Sequence, residues 1–143
     1  MIPSPHRTKS DQLLVTTPRY TFIGGGNMGR ALIGGLCEAG HSAAAINVVE
    51  THADTAAQCA KQFGVAVQQT LTRQAAPAEV IVLAVKPQQI RAVAIALGEL
   101  NYTQSVFISV AAGITTAHLS AWLGDDSAIV RCMPNTPALI GRG

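Results

Sequence analysis

The sequence has few aromatic residues and almost no net charge. Phe, Trp and Tyr together make up 4% of its 143 residues, and the formal net charge is +2. Residues 1–19 carry this small positive excess, and the rest of the chain is neutral. Nucleic acid is usually bound by a basic surface, often with aromatic side chains that stack on bases, and this composition does not favour such a surface. We therefore expect neither nucleic acid nor an acidic membrane as a partner.

Cysteine is also scarce, and its spacing excludes two kinds of site. Cys37, Cys59 and Cys132 are far apart, odd in number and in no C-x-x-C pair. This pattern argues against a disulfide framework and against a structural zinc site. We expect reduced, buried thiols, no bound metal and a cytoplasmic location.

Long hydrophobic runs are missing as well. No stretch of 18 apolar residues occurs, so no transmembrane helix is predicted, and the N-terminus lacks the apolar segment of a secretion signal. Hydrophobic residues still make up 48% of the chain, enough for the core of one domain. Residues 1–19, with three prolines and no sustained hydrophobic period, are predicted to be a flexible tail, and residues 20–143 to form the domain.

Predicted strands and helices alternate along most of this domain. The strands are predicted at residues 20–23, 45–49, 65–67, 80–85, 106–110 and 128–132. The helices are predicted at residues 28–39, 53–63, 88–100 and 115–123. Gly64 is predicted to end the second helix, and Pro87 to open the third. This order predicts an α/β fold with a doubly wound parallel sheet of the Rossmann type. Ligands of such sheets bind beyond the carboxyl ends of the strands.

A glycine-rich segment follows the first predicted strand and opens the first helix. Its G-x-G-x-x-G pattern consists of Gly24, Gly25, Gly26, Asn27, Met28 and Gly29. In this context Gly24 permits a tight turn, Gly26 lets backbone N–H groups approach a pyrophosphate, and Gly29 lets the helix pack close to the sheet. The free N–H groups at the start of the helix favour a phosphate. The segment predicts a dinucleotide site.

Glu50 ends the second predicted strand, about 20 positions after the last of these glycines. A carboxylate at this place accepts hydrogen bonds from both adenosine ribose hydroxyls, which favours NAD(H) and repels the 2′-phosphate of NADP(H). Thr51 and His52 could offset the repulsion, but no Arg stands beside Glu50 in the sequence. A solvated residue at a strand end is the alternative interpretation.

Two further segments follow predicted strands and are rich in small residues. The fourth strand is followed by Ala84, Val85, Lys86 and Pro87, and the fifth by Ala111, Ala112 and Gly113. Small residues leave room for a ribose or for the nicotinamide half of a cofactor, although close backbone packing would need them too. Lys86 either meets a phosphate or ribose oxygen or is a solvated loop lysine.

The loop after the sixth strand holds the last candidate. Asn135 lies between two prolines and offers donors and an acceptor that could orient a carboxamide or a small substrate. Cys132 is a poor candidate nucleophile because no nearby His could act as its base in sequence. These patterns identify no catalytic residue.

Residues 22–28, 84–88, 109–113 and 130–137, in this order, resemble the N-terminal dinucleotide-binding domain of pyrroline-5-carboxylate reductase. The resemblance implies an NADP(H)- or NAD(H)-dependent oxidoreductase. Such an enzyme transfers a hydride to the C=N carbon of 1-pyrroline-5-carboxylate and yields L-proline. It also implies that residues 84–88 and 111–113 line the cofactor, that Asn135 lies near the nicotinamide and the substrate, and that the intact enzyme is a homo-oligomer.

Three departures from this family bear on the expectation. Gly25 and Gly29 stand where the family commonly has Ala, and Glu50 stands where many NADP-preferring members have Ser or a basic residue. Members also continue into a helical C-terminal domain that forms the dimer and most of the substrate pocket. We therefore expect this chain to be the cofactor-binding domain alone, inactive by itself, with an exposed apolar patch near residues 133–140 that favours self-association.

Two alternative functions stay open on these residues. The chain could be the cofactor domain of another β-hydroxyacid-type dehydrogenase, whose catalytic Lys would lie on a later helix. It could also be a non-catalytic dinucleotide-binding module that senses redox state. Turnover by the full-length protein separates these alternatives.

Overall fold

The computed structural model describes residues 18–72, 78–100, 102 and 104–133. The strands are β1 (Tyr20–Ile23), β2 (Ile46–Val49), β3 (Ala66–Gln68), β4 (Val80–Leu83), β5 (Val106–Ser109) and β6 (Ala128–Arg131). The helices are α1 (Asn27–Glu38), α2 (Ala53–Phe63), α3 (Pro87–Glu99) and α4 (Thr116–Leu123), with a short 3₁₀ turn at Ala43–Ala45. The predicted tail, apart from its last two residues, and Asn135 lie outside the described residues.

The strands form one parallel sheet in the order β3-β2-β1-β4-β5-β6. This is the order of a doubly wound dinucleotide-binding fold. The predicted fold class is therefore confirmed. Strand order reverses between β1 and β4, which are adjacent in the sheet, and the crevice at this switch point is where such folds bind ligands.

The central strands are buried on both faces, as their continuous apolar runs predict. Side chains alternate along a strand, so Phe22 and Ile23 of β1 enter different cores. Phe22 packs in the core that α1 and α2 cover, which includes Ile33 and Cys59. Ile23 packs in the core that α3 and α4 cover, which includes Leu119. The helices thus cover the sheet in two pairs, one on each face.

The predicted boundaries differ from the observed ones by at most two residues, and those of β1 and α2 are the same. The second strand begins at Ile46 because Ala43–Ala45 forms a 3₁₀ turn, to which the Ser42 hydroxyl contributes by accepting from the Ala44 N–H at 3.2 Å. Thr115 caps α4 and does not belong to it, since its hydroxyl accepts from the His118 N–H at 3.1 Å. Gly64 ends α2 in the left-handed conformation, as predicted.

The outer strand β6 is mostly exposed, and only Ile129 is half-buried, packed against the core that α3 and α4 cover. Val130 is 47% exposed, and Met133, which follows the strand, is 65% exposed. Met133 begins the range 133–140 in which the apolar patch is expected, and residues 134–140 lie outside the described residues. No described helix is long and apolar enough to cross a membrane. The described residues also contain no group of three or more His, Cys, Asp or Glu side chains that could hold a metal ion.

Candidate functional site

The chain segments that leave β1 and β4 meet at the carboxyl edge of the sheet. The Ala84 N–H donates to the Ile23 carbonyl at 2.8 Å, and the Gly24 N–H donates to the Val49 carbonyl at 2.8 Å. These bonds extend the sheet pairing by one residue into the turns. They anchor the glycine turn between the ends of β2 and β4, directly at the switch point.

Two of the predicted glycines are required by close backbone approach. Gly24 has φ +105°, and a Cβ there would lie 2.7 Å from the Ala84 carbonyl oxygen. A Cβ on Gly29 would lie 2.5 Å from the Gly24 carbonyl oxygen and 3.7 Å from the Ala84 Cβ. Gly29 therefore lets the first turn of α1 pack closely against the glycine turn. The sequence pattern predicts close packing against the sheet instead, but the contact with the turn is the shorter of the two.

Gly26 lies where a ligand could approach the turn. A Cβ built on Gly26 would meet no atom within 4 Å. Gly26 is also the N-cap of α1, which has no side-chain cap and no acidic residue in its first turn. The N–H groups and the positive end of this helix are thus available to an anion in open space. This geometry fits a pyrophosphate.

The Glu50 carboxylate forms hydrogen bonds to both the glycine turn and the start of α2. Its Oε1 accepts a hydrogen bond from the Gly25 N–H at 2.9 Å, and its Oε2 accepts one from the His52 N–H at 2.9 Å. The side chain is half-buried, and both of its oxygens bond to backbone N–H groups. Each oxygen keeps lone-pair capacity for another donor. Thr51, in contrast, is exposed.

The segment after β4 packs against the glycine turn. A Cβ on Gly24 would lie 3.1 Å from Val85 Cγ1, so Ala84 and Val85 form the wall against which the turn packs. Pro87 occupies the first turn of α3, as predicted. Lys86 is exposed and makes no side-chain cap bond to α3, so both interpretations of this residue stay open.

The segment after β5 divides between core and surface. Ala111 is 5% exposed and packs with the residues that α3 and α4 cover. Ala112 and Gly113 are exposed, and Gly113 has φ +77°. The Ala111 side chain therefore packs in the core, and only its backbone and the next two residues can face a ligand.

The cysteines differ in exposure, and the expectation that all are buried is wrong. Cys59 is fully buried, Cys37 is half-buried and Cys132 is exposed; all three are free thiols. Cys59 lies behind the glycine turn, where a Cβ on Gly25 would lie 3.6 Å from its sulfur. Burial raises the pKa of the Cys59 thiol, the positive charge of Arg30 lowers it, and the negative charge of Glu50 raises it. This thiol is therefore protonated and inert near neutral pH.

Arg30 is a residue of this region that the sequence patterns did not single out. Its guanidinium donates to Asn27 Oδ1 at 2.9 Å and to Gln58 Oε1 at 3.2 Å. It lines an open cavity of about 380 Å³ beside the glycine turn, together with Asn27, Ala31 and Gln62. Its position one helical turn after Gly26 could have indicated this place, since helical residues three and four apart share a face.

Known proteins resemble this chain in sequence and in structure. The curated pyrroline-5-carboxylate reductase of Pseudomonas aeruginosa is 45% identical over 129 residues, which are 90% of this chain and 47% of that protein. A solved pyrroline-5-carboxylate reductase from Coxiella burnetii is 42% identical with a TM-score of 0.82, and the match covers 87% of this chain and 47% of that one. The chain thus spans about half the length of the curated relatives it matches.

A second solved structure, Plasmodium falciparum pyrroline carboxylate reductase with NADP bound, is 25% identical with a TM-score of 0.73. The match covers 87% of this chain and 45% of that one. The predicted resemblance to the N-terminal part of these reductases is therefore confirmed. The family described as NADP oxidoreductase, coenzyme F420-dependent, matches residues 19–113. This match covers most of the chain, and the protein belongs to that family.

Proposed function

We propose that this chain is the cofactor-binding part of a pyrroline-5-carboxylate reductase of proline biosynthesis. The enzyme would transfer a hydride from NADP(H) or NAD(H) to the C=N carbon of 1-pyrroline-5-carboxylate and release L-proline. The observation that carries the proposal is the open glycine turn at the switch point, in a chain 45% identical to such a reductase. A pyrophosphate suits that turn for the physical reasons given above.

The pyrophosphate is assigned to the glycine turn and the start of α1. The residues of this subsite are Gly24, Gly25, Gly26, Asn27, Met28 and Gly29. Gly24 and Gly29 allow the backbone to fold tightly, and Gly26 leaves the space in front of it open. The uncapped N–H groups of α1 would then donate to phosphate oxygens.

The adenosine ribose is assigned to Glu50 and Thr51 at the end of β2. The Glu50 carboxylate is held by two backbone N–H groups, so it is oriented before any ligand arrives. Its remaining lone pairs can accept from ribose hydroxyls. This arrangement supports NAD(H) binding directly.

The nicotinamide half is assigned to the turns after β4 and β5. The residues are Ala84, Val85, Lys86, Pro87, Ala111, Ala112 and Gly113, with Asn135 as the orienting residue predicted from sequence. The bound dinucleotide supplies the hydride, so the protein needs no nucleophile. The protein would orient the imine, exclude water from it and provide a proton to its nitrogen. None of the described residues is assigned as that proton donor.

The proposal extends to the setting of the intact enzyme. A small imine carrying a carboxylate is the proposed substrate, and a homo-oligomer in the cytoplasm is the proposed form. The relatives are about twice as long as this chain, so most of the substrate pocket is assigned to a second domain. Catalysis is therefore assigned to the full-length protein.

Calorimetric titration of this chain with NADH and with NADPH tests cofactor binding. We expect one saturable site for at least one of the two dinucleotides. A Gly26→Val variant should lose that binding, because the side chain fills the open space before the turn. Gly35→Ala on the same helix is the matched control, since its Cβ also meets nothing within 4 Å but lies away from the turn.

A turnover assay of the full-length gene product tests the reaction. We expect oxidation of NADH or NADPH that depends on 1-pyrroline-5-carboxylate and yields proline. Cofactor binding without turnover on any imine would support the redox-sensing alternative. Turnover on a hydroxy acid would support the other dehydrogenase alternative.

A further inference from the structure

The positively charged guanidinium of Arg30 is held in place by hydrogen bonds to neutral side chains. Its two described acceptors are the side-chain amides of Asn27 and Gln58. Within residues 18–72, 78–100, 102 and 104–133, no carboxylate forms an ion pair with it. A half-buried guanidinium with only amide acceptors keeps its charge uncompensated, which favours an anionic ligand.

The guanidinium also has hydrogen-bonding capacity left. Its Nε is buried and has no partner among the described residues. An arginine side chain has five N–H donors, and the amides of Asn27 and Gln58 accept from the two terminal nitrogens only. The buried Nε is closed to a ligand, but each terminal nitrogen keeps one N–H. These two donors suit a ligand with several acceptor oxygens, such as a phosphate group.

The cavity beside Arg30 is large enough for such a group. It measures about 380 Å³ and is also lined by Asn27, Ala31 and Gln62. The two amide side chains can donate as well as accept. Asn27 belongs to the glycine turn, so one side of the cavity adjoins the place assigned to the cofactor.

Arg30 also lies near Glu50, the residue assigned to the ribose. The charges of Arg30 and Glu50 both reach the thiol of Cys59. A Cβ on Gly25 would lie 3.6 Å from that sulfur and 3.6 Å from the Glu50 Cβ. Gln58, which holds Arg30, is the neighbour of Cys59 in α2. Arg30 and Glu50 therefore flank the same turn of the backbone.

We propose that Arg30 and the cavity between α1 and α2 bind a phosphate monoester, with the 2′-phosphate of NADP(H) as its principal source. The inference rests on the proposed function, because it adds a subsite to the proposed cofactor site. Glu50 accepts hydrogen bonds from the ribose hydroxyls of NAD(H). The positive charge of Arg30 offsets the repulsion between the Glu50 carboxylate and a 2′-phosphate. The chain would thus bind both dinucleotides.

Titration of the chain with NADPH and NADH, before and after the change Arg30→Met, tests this subsite. Methionine keeps part of the aliphatic stem and removes the charge. We expect NADPH affinity to fall about 10- to 100-fold, the range for loss of hydrogen bonds to a charged group, with NADH affinity unchanged. Arg30→Lys keeps the charge without the planar fork and should give a smaller loss.

Arg19→Gln is the matched control for loss of one positive charge. Arg19 is exposed and lies before β1, at the edge of the sheet opposite the glycine turn. This variant should bind both dinucleotides like the wild type. Retained NADH binding by Arg30→Met shows that the variant is folded. Unchanged NADPH affinity in that folded variant would overturn the inference and leave the proposed function intact.

Titrations with 2′-AMP and with inorganic phosphate distinguish the cofactor from the free anion as the source of the bound phosphate. Binding of 2′-AMP that Arg30→Met weakens, with inorganic phosphate ineffective at the same concentration, supports the cofactor as the source. Equal binding of inorganic phosphate supports a site for the free anion. If the wild type binds neither dinucleotide, the proposed function fails. The phosphate and 2′-AMP titrations still decide the subsite, which is refuted if neither probe binds or if Arg30→Met binds them unchanged.

Discussion

The carboxylate of Glu50 accepts a hydrogen bond from the backbone N–H of Gly25, at 2.9 Å from Oε1. The two residues come from different strand ends, and the same carboxylate also accepts from the His52 N–H. A residue expected only to meet a ribose therefore also holds the glycine turn in position. Ligand recognition and loop geometry are coupled through this one side chain.

Replacing Glu50 should affect both properties. Glu50→Ala leaves the Gly25 and His52 N–H groups without their acceptor, and we expect a loss of about 1–2 kcal/mol in the free energy of unfolding. Glu50→Gln keeps one acceptor and removes the charge. It should weaken NADH binding and strengthen NADPH binding, because repulsion of the 2′-phosphate disappears.

Urea denaturation and calorimetric titration measure these two effects. Glu38→Gln is a control, since Glu38 is exposed at the far end of α1. If Glu50→Ala were as stable as the wild type, the turn would not depend on this carboxylate.

The two glycines of α1 at positions 29 and 35 should respond oppositely to alanine. Gly29→Ala places a Cβ 2.5 Å from the Gly24 carbonyl oxygen, and we expect about 1–3 kcal/mol of destabilisation from the forced backbone shift. Gly35→Ala meets no atom within 4 Å and should stabilise the helix by up to about 1 kcal/mol. Urea midpoints of the two variants measure the contrast. Equal effects would mean that the crowding at the turn is relieved without cost.

The burial of Cys59 predicts a loss of stability at alkaline pH. Its thiol pKa is raised in the folded state, so the unfolded chain loses this proton at a lower pH than the folded chain does. The stabilisation is complete below the unfolded pKa, and it is lost as the pH rises through that value towards the raised folded pKa. The relevant window therefore begins near 9.0, the ordinary thiol pKa.

Urea midpoints at neutral pH and in this alkaline window measure the effect. The wild type should lose more stability across that interval than Cys59→Ala does. Cys37→Ala, at the half-buried cysteine, is the control and should behave like the wild type. A wild-type midpoint with the same pH dependence as Cys59→Ala would contradict the prediction.

The exposed apolar side chains near β6 predict self-association of this chain. Val130 in β6 and Met133 after it are exposed, and β6 is an outer strand of the described sheet, where another chain can pair. Light scattering at high concentration should detect dimers or larger species. Val130→Lys should reduce them, because a charge at an edge strand opposes pairing. A monomeric wild type at high concentration would refute the expectation.

The sequence was sufficient for those features that depend on local pattern. The continuous apolar runs placed the central strands, and Gly64 and Pro87 marked a helix end and a helix start that the structure contains. Strand and helix alternation predicted the parallel doubly wound sheet, because a parallel strand can be reached only by a crossover. The glycine pattern located the turn at the switch point. All of these signals lie within a few neighbouring residues.

Only the tertiary structure decided which side chains meet. In sequence no Arg stands beside Glu50, yet the packing of α1 against α2 brings Arg30 to the Gln58 side chain, near the turn that Glu50 holds. Likewise, Gly29 approaches the Gly24 carbonyl only because the turn folds back on the helix. Hydrophobic period and turn residues determine the elements and their order. Contacts between side chains on different elements depend on register and helix packing, which no local pattern in the chain specifies.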